Sequence, residues 1–226
     1  MVELCDADQK LAEMLLEDLR SGPITDRIQE CNTQLEDKPF SLGRMNLGGE
    51  LAYFLVQLTE PETSLEVGVA NGVSTTYVLG ALEDLDHDAD LRAIDKPLFE
   101  SDIREKRGNR GLVGVGGIIP EEREAVWVAP KHQRVKNGHQ YYVGDFVEVL
   151  PSTVESMDPL DLAIYDASKD SEDMRMAYET LINSLSTGGV LVSDDISVNS
   201  VFEDVTRRYD GETVTFGGCG IYRSTC

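Results

Sequence analysis

The sequence contains little positive charge. Its 226 residues include 20 lysine and arginine residues against 42 aspartate and glutamate residues, which gives a formal net charge of -22 at pH 7. The acidic residues are spread along the chain rather than gathered in one tail. A surface of this charge repels phosphate backbones and anionic membranes, so we expect neither a nucleic-acid partner nor a membrane partner.

The same excess of acid bears on the salt conditions in which the protein works. Repulsion between acidic side chains is relieved when salt screens them. Lysine is also scarce relative to arginine. The composition therefore favours a halophilic source, and an ordinary acidic protein is the alternative.

Cysteine and long apolar runs are scarce as well. The four cysteines, Cys5, Cys31, Cys219 and Cys226, show no Cys-x-x-Cys spacing, and no secretory leader is apparent. We therefore expect free thiols in a reducing cytoplasm. No apolar run approaches the roughly 20 residues that span a bilayer, so we expect a soluble protein. The length fits one domain over residues 1–226, whose core needs no disulfide or structural metal.

Helices and strands are predicted to alternate. The first sixty residues predict two helices, one with Leu11 and Leu19 on its apolar face and one with Leu47 and Leu58. Apolar segments then predict five strands, at residues 64–67, 91–94, 140–143, 162–165 and 190–193. Such alternation predicts a parallel α/β sheet with helices on both faces. A glycine pair at residues 217–218 predicts a closing antiparallel hairpin.

One long segment interrupts this alternation. Residues 96–139 contain several arginines and are broken by glycines and prolines. Ile118, Ile119 and Trp127 nevertheless give the segment apolar side chains with which to pack. Long loops in a compact domain are usually functional or disordered. We predict an inserted lid that covers a substrate, and a mobile surface excursion is the alternative.

The stretch 64–74 combines a buried strand, a glycine turn and the start of a helix. Gly68 ends the strand, and Gly72 supplies the same conformational freedom four residues later. Ser74 is predicted to cap the next helix, whose free N–H groups would then point at a ligand. The pattern predicts a cradle for a nucleotide cofactor, although its Gly-x-x-x-Gly spacing differs from that of nicotinamide and flavin binders. An ordinary glycine turn is the alternative.

Three acidic residues are predicted to face this cradle. Glu66 lies in an apolar strand, where a carboxylate is costly unless a cofactor amine or a hydroxyl binds it. Asp95 follows the second strand, where an acid holds ribose hydroxyls in nucleotide binders. Asp145 follows the third strand, with Gly144 and Phe146 beside it, and is placed to face an adenine amine. Taken singly, the two aspartates also fit turn or helix-cap roles.

On these motifs the chain resembles the class I S-adenosylmethionine-dependent methyltransferases. The resemblance covers roughly residues 47–222 and rests on residues 66–72, on Asp95 and on residues 144–146. It implies a Rossmann-like fold, with a seven-stranded, mostly parallel sheet, an antiparallel C-terminal hairpin and helices on both faces. It also implies a homodimer through the N-terminal helices. The residues it implies for binding S-adenosylmethionine are Glu66, Gly68, Gly72, Ser74, Asp95, Gly144, Asp145 and Phe146.

A second group of acids narrows the class. Asp166 ends the fourth strand, and Asp194 and Asp195 end the fifth, so adjacent strand ends bring them together. Three carboxylates repel one another unless a hard cation binds them, and Mg²⁺ prefers such oxygen ligands. Here the chain is similar to metal-dependent O-methyltransferases, both the catechol type and those that act on sugars of macrolide and aminocoumarin antibiotics. This similarity implies Mg²⁺-assisted O-methylation of a small-molecule hydroxyl.

The loop after Asp166 contains a candidate base. Lys169 lies three positions further on, as does the lysine general base of the catechol-type enzymes, so the resemblance implies a catalytic role for both residues. A solvated loop lysine is the alternative, and His132 or His139 is an alternative base. Asn199 supports the metal ligands or caps a helix. A metal-independent methyltransferase and a non-catalytic cofactor-binding protein also stay open.

Overall fold

The computed structural model describes most of the chain from residue 48 onward. The described residues are 14, 17, 22, 24–26, 40–41, 48–69, 72–86, 89–96, 98–99, 115–116, 118–119 and 139–225. The leucines of the first predicted helix lie outside them, as do His87, His132 and most of the predicted lid. The lid and the N-terminal helix therefore stay predictions.

Helices and strands alternate through the described part of the chain. The main strands are β1 Thr63–Val67, β2 Asp90–Asp95, β3 His139–Val143, β4 Leu160–Tyr165, β5 Leu185–Ser193, β6 Gly211–Phe216 and β7 Cys219–Ser224. The helices are α1 Gly48–Thr59, α2 Val73–Asp84, α3 Phe146–Glu155, α4 Ser171–Asn183 and α5 Val201–Thr206. The predicted helix of residues 47–58 corresponds to α1, and the five predicted strands correspond to β1–β5.

Several smaller elements accompany these helices and strands in the described part of the chain. A 3₁₀ turn, Ile196–Val198, lies between β5 and α5. Two-residue strands pair in parallel, Phe40–Ser41 with Val115–Gly116 and Leu98–Phe99 with Ile118–Ile119. These short pairs bring parts of the 96–139 segment into regular structure outside the main sheet.

The main sheet joins seven strands in the order β6-β7-β5-β4-β1-β2-β3. Strands β1 to β5 pair in parallel, whereas β7 runs antiparallel to both β5 and β6. The prediction of a mostly parallel α/β sheet with an antiparallel C-terminal hairpin is confirmed. Because the chain proceeds outward from β1 in one direction and resumes at β4 in the other, the order reverses between these two strands. Open α/β sheets bind ligands at such a reversal, beyond the carboxyl ends of the strands.

Helices cover both faces of this sheet. Side chains of a strand point alternately to its two faces. Leu162 and Ile164 of β4 accordingly pack with α1 and α2, whereas Ala163 and Tyr165 pack with α3, α4 and α5. Both faces are apolar because both are buried, as expected for a parallel sheet. Within the described part of the chain, every helix is too short or too polar to cross a bilayer.

Candidate functional site

The strands end in a row of backbone hydrogen bonds that continues one residue beyond each strand. These bonds tie the first residue after a strand to the end of its neighbour. They run from Gly144 N to Asp95 O (2.9 Å), from Gly68 N to Ile94 O (2.9 Å), from Asp166 N to Val67 O (2.8 Å) and from Asp194 N to Tyr165 O (3.1 Å). The predicted glycines and aspartates therefore form one continuous carboxyl edge.

Gly68 follows β1 at this edge and lies against the end of β4. Its φ is +94°, in the left-handed region that favours glycine, and a Cβ atom there would lie 2.0 Å from the carbonyl oxygen of Asp166. The glycine is thus required by the neighbouring strand as well as by its own turn. It joins the strand, glycine turn and helix start of residues 64–74, here called the first motif, directly to the strand end that carries Asp166.

The Glu66 carboxylate is completely buried beneath the glycine turn. Each of its oxygens accepts a hydrogen bond from a hydroxyl of α2, one from Ser74 and the other from Thr75. Burial raises the pKa of Glu66 to about 7, although the two hydroxyls oppose this shift. The nearby charges of Asp95 and Asp166 contribute to the same rise. The hydroxyl partners expected for this acid thus come from the protein, and its contact with a cofactor stays a prediction.

The start of α2 differs from the prediction. Gly72, with φ 76°, is the N-cap residue, and its N–H donates to Val69 O at 2.8 Å. The prediction that Ser74 caps this helix is wrong, because Ser74 is the second residue of α2 and its hydroxyl is held by Glu66. A glycine adopts this left-handed conformation without the steric cost that a Cβ atom would bring.

Asp145 has two partners within the protein. Its side chain caps α3 by accepting a hydrogen bond from Val147 N at 3.2 Å, and it pairs with Lys96 Nζ at 3.1 Å. The hydrogen bond from Lys96 is the main cause of a lowered pKa of Asp145, and the Val147 N–H adds to it. The helix-cap alternative is therefore realised, and an adenine contact stays a prediction.

Phe146 and Asp95 occupy different environments at this edge. Phe146 is buried and packs edge-on against Tyr165, with ring centroids 5.8 Å apart. Asp95 ends β2 and is partly buried. Phe146 therefore contributes mainly to the core, whereas Asp95 lies where a ligand above the edge can reach it. Binding of a cofactor by either residue stays a prediction.

Asp166, Asp194 and Asp195 come together at the ends of β4 and β5 and are here called the acidic cluster. One carboxylate oxygen from each lies within 4.8 Å of the others. Asp194 is 2% exposed, whereas Asp166 and Asp195 are partly exposed. Asp195 has a φ of 55°, so its backbone is in the left-handed region, which is unusual for a residue with a Cβ atom. This backbone turn follows directly on Asp194 at the strand end.

Lys169 reaches into the acidic cluster. Its Nζ lies 2.7 Å from Asp166 Oδ1 and 3.4 Å from Asp195 Oδ2. Burial raises the pKa of Asp166, the Lys169 ammonium opposes this shift, and the charges of Asp194 and Asp195 add to it. In this arrangement Lys169 is a counter-ion of the aspartates.

Other groups hold the acidic cluster in position. Asp194 Oδ1 accepts hydrogen bonds from Asp195 N at 2.8 Å and from Cys219 Sγ at 3.4 Å. Asn199 donates to the Lys169 carbonyl at 3.4 Å and accepts from Val201 N at 2.9 Å. Asn199 therefore accepts the first N–H of α5, although Ser200 is the N-cap residue, and its support of the metal ligands stays a prediction.

Sequence analysis missed two tyrosines beneath the site. The hydroxyl of Tyr165 donates to Ser168 O at 2.6 Å, and the hydroxyl of Tyr178 lies 2.7 Å from Ser193 Oγ. Both rings are fully buried. A tyrosine in an otherwise apolar strand is itself a signal, because a buried phenol needs a hydrogen-bond partner nearby. Through Ser168, Tyr165 fixes the loop that carries Lys169.

The donor set of the acidic cluster fits a hard divalent cation. All its side-chain donors are carboxylate oxygens, the ligands that Mg²⁺ prefers, and no sulfur or imidazole ligand is among them. The partial exposure of Asp166 and Asp195 leaves room for water or substrate oxygens. The residues that would hold the ion are therefore Asp166, Asp194 and Asp195.

Comparison with known proteins identifies relatives of this chain. A family model described as a methyltransferase domain matches residues 65–196, which is more than half of the chain. This span includes the second half of β1, all of β2 to β5 and the whole acidic cluster. No curated protein matches the chain at a significant level.

Several solved structures share the fold. The O-methyltransferase TomG from Streptomyces achromogenes, involved in tomaymycin synthesis and solved in complex with SAM, is 16% identical, with 91% of each chain covered and a TM-score of 0.60. An O-methyltransferase from Bacillus cereus in complex with SAH is 13% identical, covering 96% of this chain and 97% of that one at a TM-score of 0.59. SAH-bound PaMTH1 from Podospora anserina is 12% identical over 100% of both chains, at a TM-score of 0.59.

Proposed function

The chain belongs to the methyltransferase-domain family, and from that premise we propose that it is an S-adenosylmethionine-dependent O-methyltransferase. In this proposal the acceptor is a hydroxyl of a small molecule, and Mg²⁺ assists the reaction. The observation that carries the proposal is the acidic cluster at the carboxyl edge, joined through Gly68 to the glycine turn of the first motif.

The first motif supports the choice of methyl donor. The turn at Gly68 and Gly72 lies at the reversal of strand order, where open α/β sheets bind their ligands. Asp95 at the end of the adjacent strand offers a carboxylate for ribose hydroxyls, and the start of α2 offers N–H groups. TomG and the Bacillus cereus enzyme, which share the fold, were solved with SAM and SAH respectively. S-adenosylmethionine supplies an activated methyl group.

The acidic cluster supports the choice of acceptor and metal. Its three carboxylates would hold Mg²⁺, which lowers the pKa of a hydroxyl that coordinates it. The cluster lies beside the first motif, so an acceptor bound there would have its oxygen oriented toward the cofactor. Fixing that orientation is what the protein contributes to a direct displacement, because alignment of the two reacting groups removes much of the entropic barrier.

Lys169 is our proposed general base. A neutral Lys169 amine would take the proton from the acceptor hydroxyl as the oxygen attacks. In the structure Lys169 instead pairs with the carboxylates of Asp166 and Asp195. The base role therefore requires that these carboxylates be engaged elsewhere. His139, the alternative base named above, is the first residue of β3 and lies at the end of the sheet opposite to the carboxyl edge, so we do not retain it as a candidate.

A metal-independent methyltransferase is the second candidate, and one observation favours it. Lys169 already pairs with two of the three aspartates, so the acidic cluster has a cation without any metal. In that case Asp166 contacts the cofactor or the substrate directly. The two candidates differ in their response to a chelator.

Calorimetric titration with S-adenosylmethionine tests the proposal. Purified protein in high salt is titrated once with Mg²⁺ and once with EDTA, and methyl transfer to catechols and sugar hydroxyls is then assayed under both conditions. We expect cofactor binding in both titrations and transfer only with Mg²⁺. Transfer that survives EDTA selects the metal-independent candidate. Absence of cofactor binding in a folded sample contradicts the proposal as a whole.

A further inference from the structure

Lys169 occupies an unusual position for a free catalytic base. Its ammonium lies between two carboxylates of the acidic cluster, at 2.7 Å from Asp166 and 3.4 Å from Asp195. These carboxylates are two of the three on which a divalent cation would depend. The ammonium and a metal ion therefore compete for the same negative charge.

The loop holds Lys169 in this position from both sides. The residue follows β4 by four positions, and its backbone carbonyl accepts a hydrogen bond from Asn199. The preceding carbonyl, of Ser168, accepts one from the buried Tyr165 hydroxyl. A tethered cation has a high effective concentration at its partner site, so it competes more strongly than free lysine would.

Lys169 compensates the negative charge of the acidic cluster. Three carboxylates lie close together, and Asp194 is almost fully buried. Without a nearby cation, their mutual repulsion would oppose folding of the two strand ends. Lys169 has 28% of its side chain exposed, so it is close enough to compensate the charge and open enough to move away.

We propose that Lys169 is a built-in cation of the acidic cluster, and that a divalent metal ion displaces it on binding. The identity of the metal site rests on the proposed function. Lys169 thereby lowers the affinity for the metal and preserves the fold in its absence. Displacement also separates the amine from the two carboxylates with which it pairs.

Metal affinity in matched variants tests the competition. Mn²⁺ is titrated into metal-free protein by calorimetry at constant ionic strength, for the wild type, Lys169→Met and Lys169→Arg. We expect Lys169→Met to bind Mn²⁺ about tenfold more tightly than the wild type, since one ion-pair competitor is gone. Lys169→Arg keeps a cation and should not bind more tightly than the wild type. Lys96→Met, which removes a lysine paired with Asp145 at the same edge, controls for net charge and should leave the affinity unchanged.

Two further measurements separate displacement from simple repulsion. In EDTA, Lys169→Met should unfold at a lower temperature than the wild type. Addition of Mn²⁺ should raise the unfolding temperature of Lys169→Met by more than it raises that of the wild type. The rate of acetylation of Lys169, followed by peptide mass spectrometry, should rise at least about threefold when Mn²⁺ saturates the wild type, because the ion-paired amine is protected. Lys96 in the same sample provides the internal reference.

Each outcome bears on the proposal. Equal Mn²⁺ affinity in the wild type and Lys169→Met, or unchanged acetylation at saturating Mn²⁺, overturns the inference and leaves the proposed function intact. If Lys169→Met binds Mn²⁺ and the wild type does not, the inference is supported and the wild-type protein is a metal-independent enzyme. Absence of Mn²⁺ binding in every variant overturns both the inference and the role of the metal, while S-adenosylmethionine binding by the same samples still tests the methyltransferase proposal separately.

Discussion

Glu66 and the acidic cluster lie at the same edge of the sheet, yet their charges are compensated in different ways. Glu66 is completely buried and bonded to two hydroxyls that belong to the first turn of α2. The acidic cluster is partly open, and its partner is the side chain of one lysine on a loop. The first arrangement is fixed by secondary structure, whereas the second depends on a cation that can be exchanged.

This difference indicates how the two groups divide the work. Hydroxyl donors stabilise a buried carboxyl group without adding charge, so Glu66 anchors the glycine turn to the sheet. An ammonium ion compensates charge but is itself displaceable by a stronger cation. We therefore expect changes around Glu66 to alter stability first, and changes in the acidic cluster to alter activity first.

Gly68→Ala should have the largest effect, because it acts on both regions at once. A Cβ atom at this position would lie 2.0 Å from the backbone oxygen of Asp166, and the φ of +94° adds strain. We expect a loss of more than about 4 kcal/mol in the free energy of unfolding. Urea unfolding followed by circular dichroism measures it.

Gly188→Ala is the matched control for this change. Gly188 also has a positive φ, of +85°, but the nearest atom to its Cβ position is the flexible end of Arg223 at 3.9 Å. We expect Gly188→Ala to lower the free energy of unfolding by about 1–2 kcal/mol, from backbone strain alone. Similar losses in the two variants would show that the contact between Gly68 and Asp166 is unimportant.

Glu66→Gln should change how stability depends on pH. The folded-state pKa of Glu66, about 7, exceeds its ordinary value of 4.5, so the folded protein binds more protons between these values. The stability contribution is therefore fully present below pH 4.5 and is lost as the pH rises through 7. We expect this residue to lower the free energy of unfolding of the wild type by on the order of 3 kcal/mol between pH 4.5 and pH 7. Glu66→Gln should lack this loss in urea unfolding at pH 5 to 8.

Glu62→Gln, at an exposed side chain just before β1, is the control for that experiment. It should keep the pH dependence of the wild type. If Glu66→Gln and Glu62→Gln behave alike, the buried carboxyl group does not set the pH dependence.

Asp166→Asn should strongly reduce activity with little effect on the fold. The amide preserves the shape of the side chain but removes a charge from the acidic cluster. We expect kcat/KM for methyl transfer to fall by about 100-fold. Asp170→Asn is the control, since Asp170 caps α4 and asparagine is an equally good cap. Equal activity in the two variants would argue against a role for Asp166.

Thr75→Val should have the smallest effect of this series. It removes one of the two hydroxyls that bond Glu66, so the pKa of Glu66 should rise further. We expect the free energy of unfolding to fall by about 1 kcal/mol. The pH at which stability falls should shift upward. Thr76→Val removes a hydroxyl that donates only to Gly72 O, and it should leave that pH unchanged. A shift in both variants would contradict the assignment.

Much of the fold and the location of the site were predictable from the sequence. Apolar segments of strand length, separated by helices, predicted β1 to β5, and acids directly after these segments necessarily gather at one edge. Asp166, Asp194 and Asp195 could be grouped in this way because parallel strands end together. Partners of individual side chains were not predictable by the same reasoning. Ser74 is an example, since its position before an apolar helix face suggested a cap while the carboxylate that holds its hydroxyl belongs to β1.

The sequence by itself determined the α/β class, the order of the strands and helices, and the acidic residues that follow the strands, because hydrophobic periodicity and glycine positions are local properties. Only the tertiary structure decided which residues contact one another and which charges are compensated by which partners. The contact of Gly68 with Asp166, the hydroxyl pair on Glu66 and the position of Lys169 between two aspartates all join residues on different elements or across a folded loop. Burial and distance fix the strength of such interactions, and both exist only once the sheet has formed.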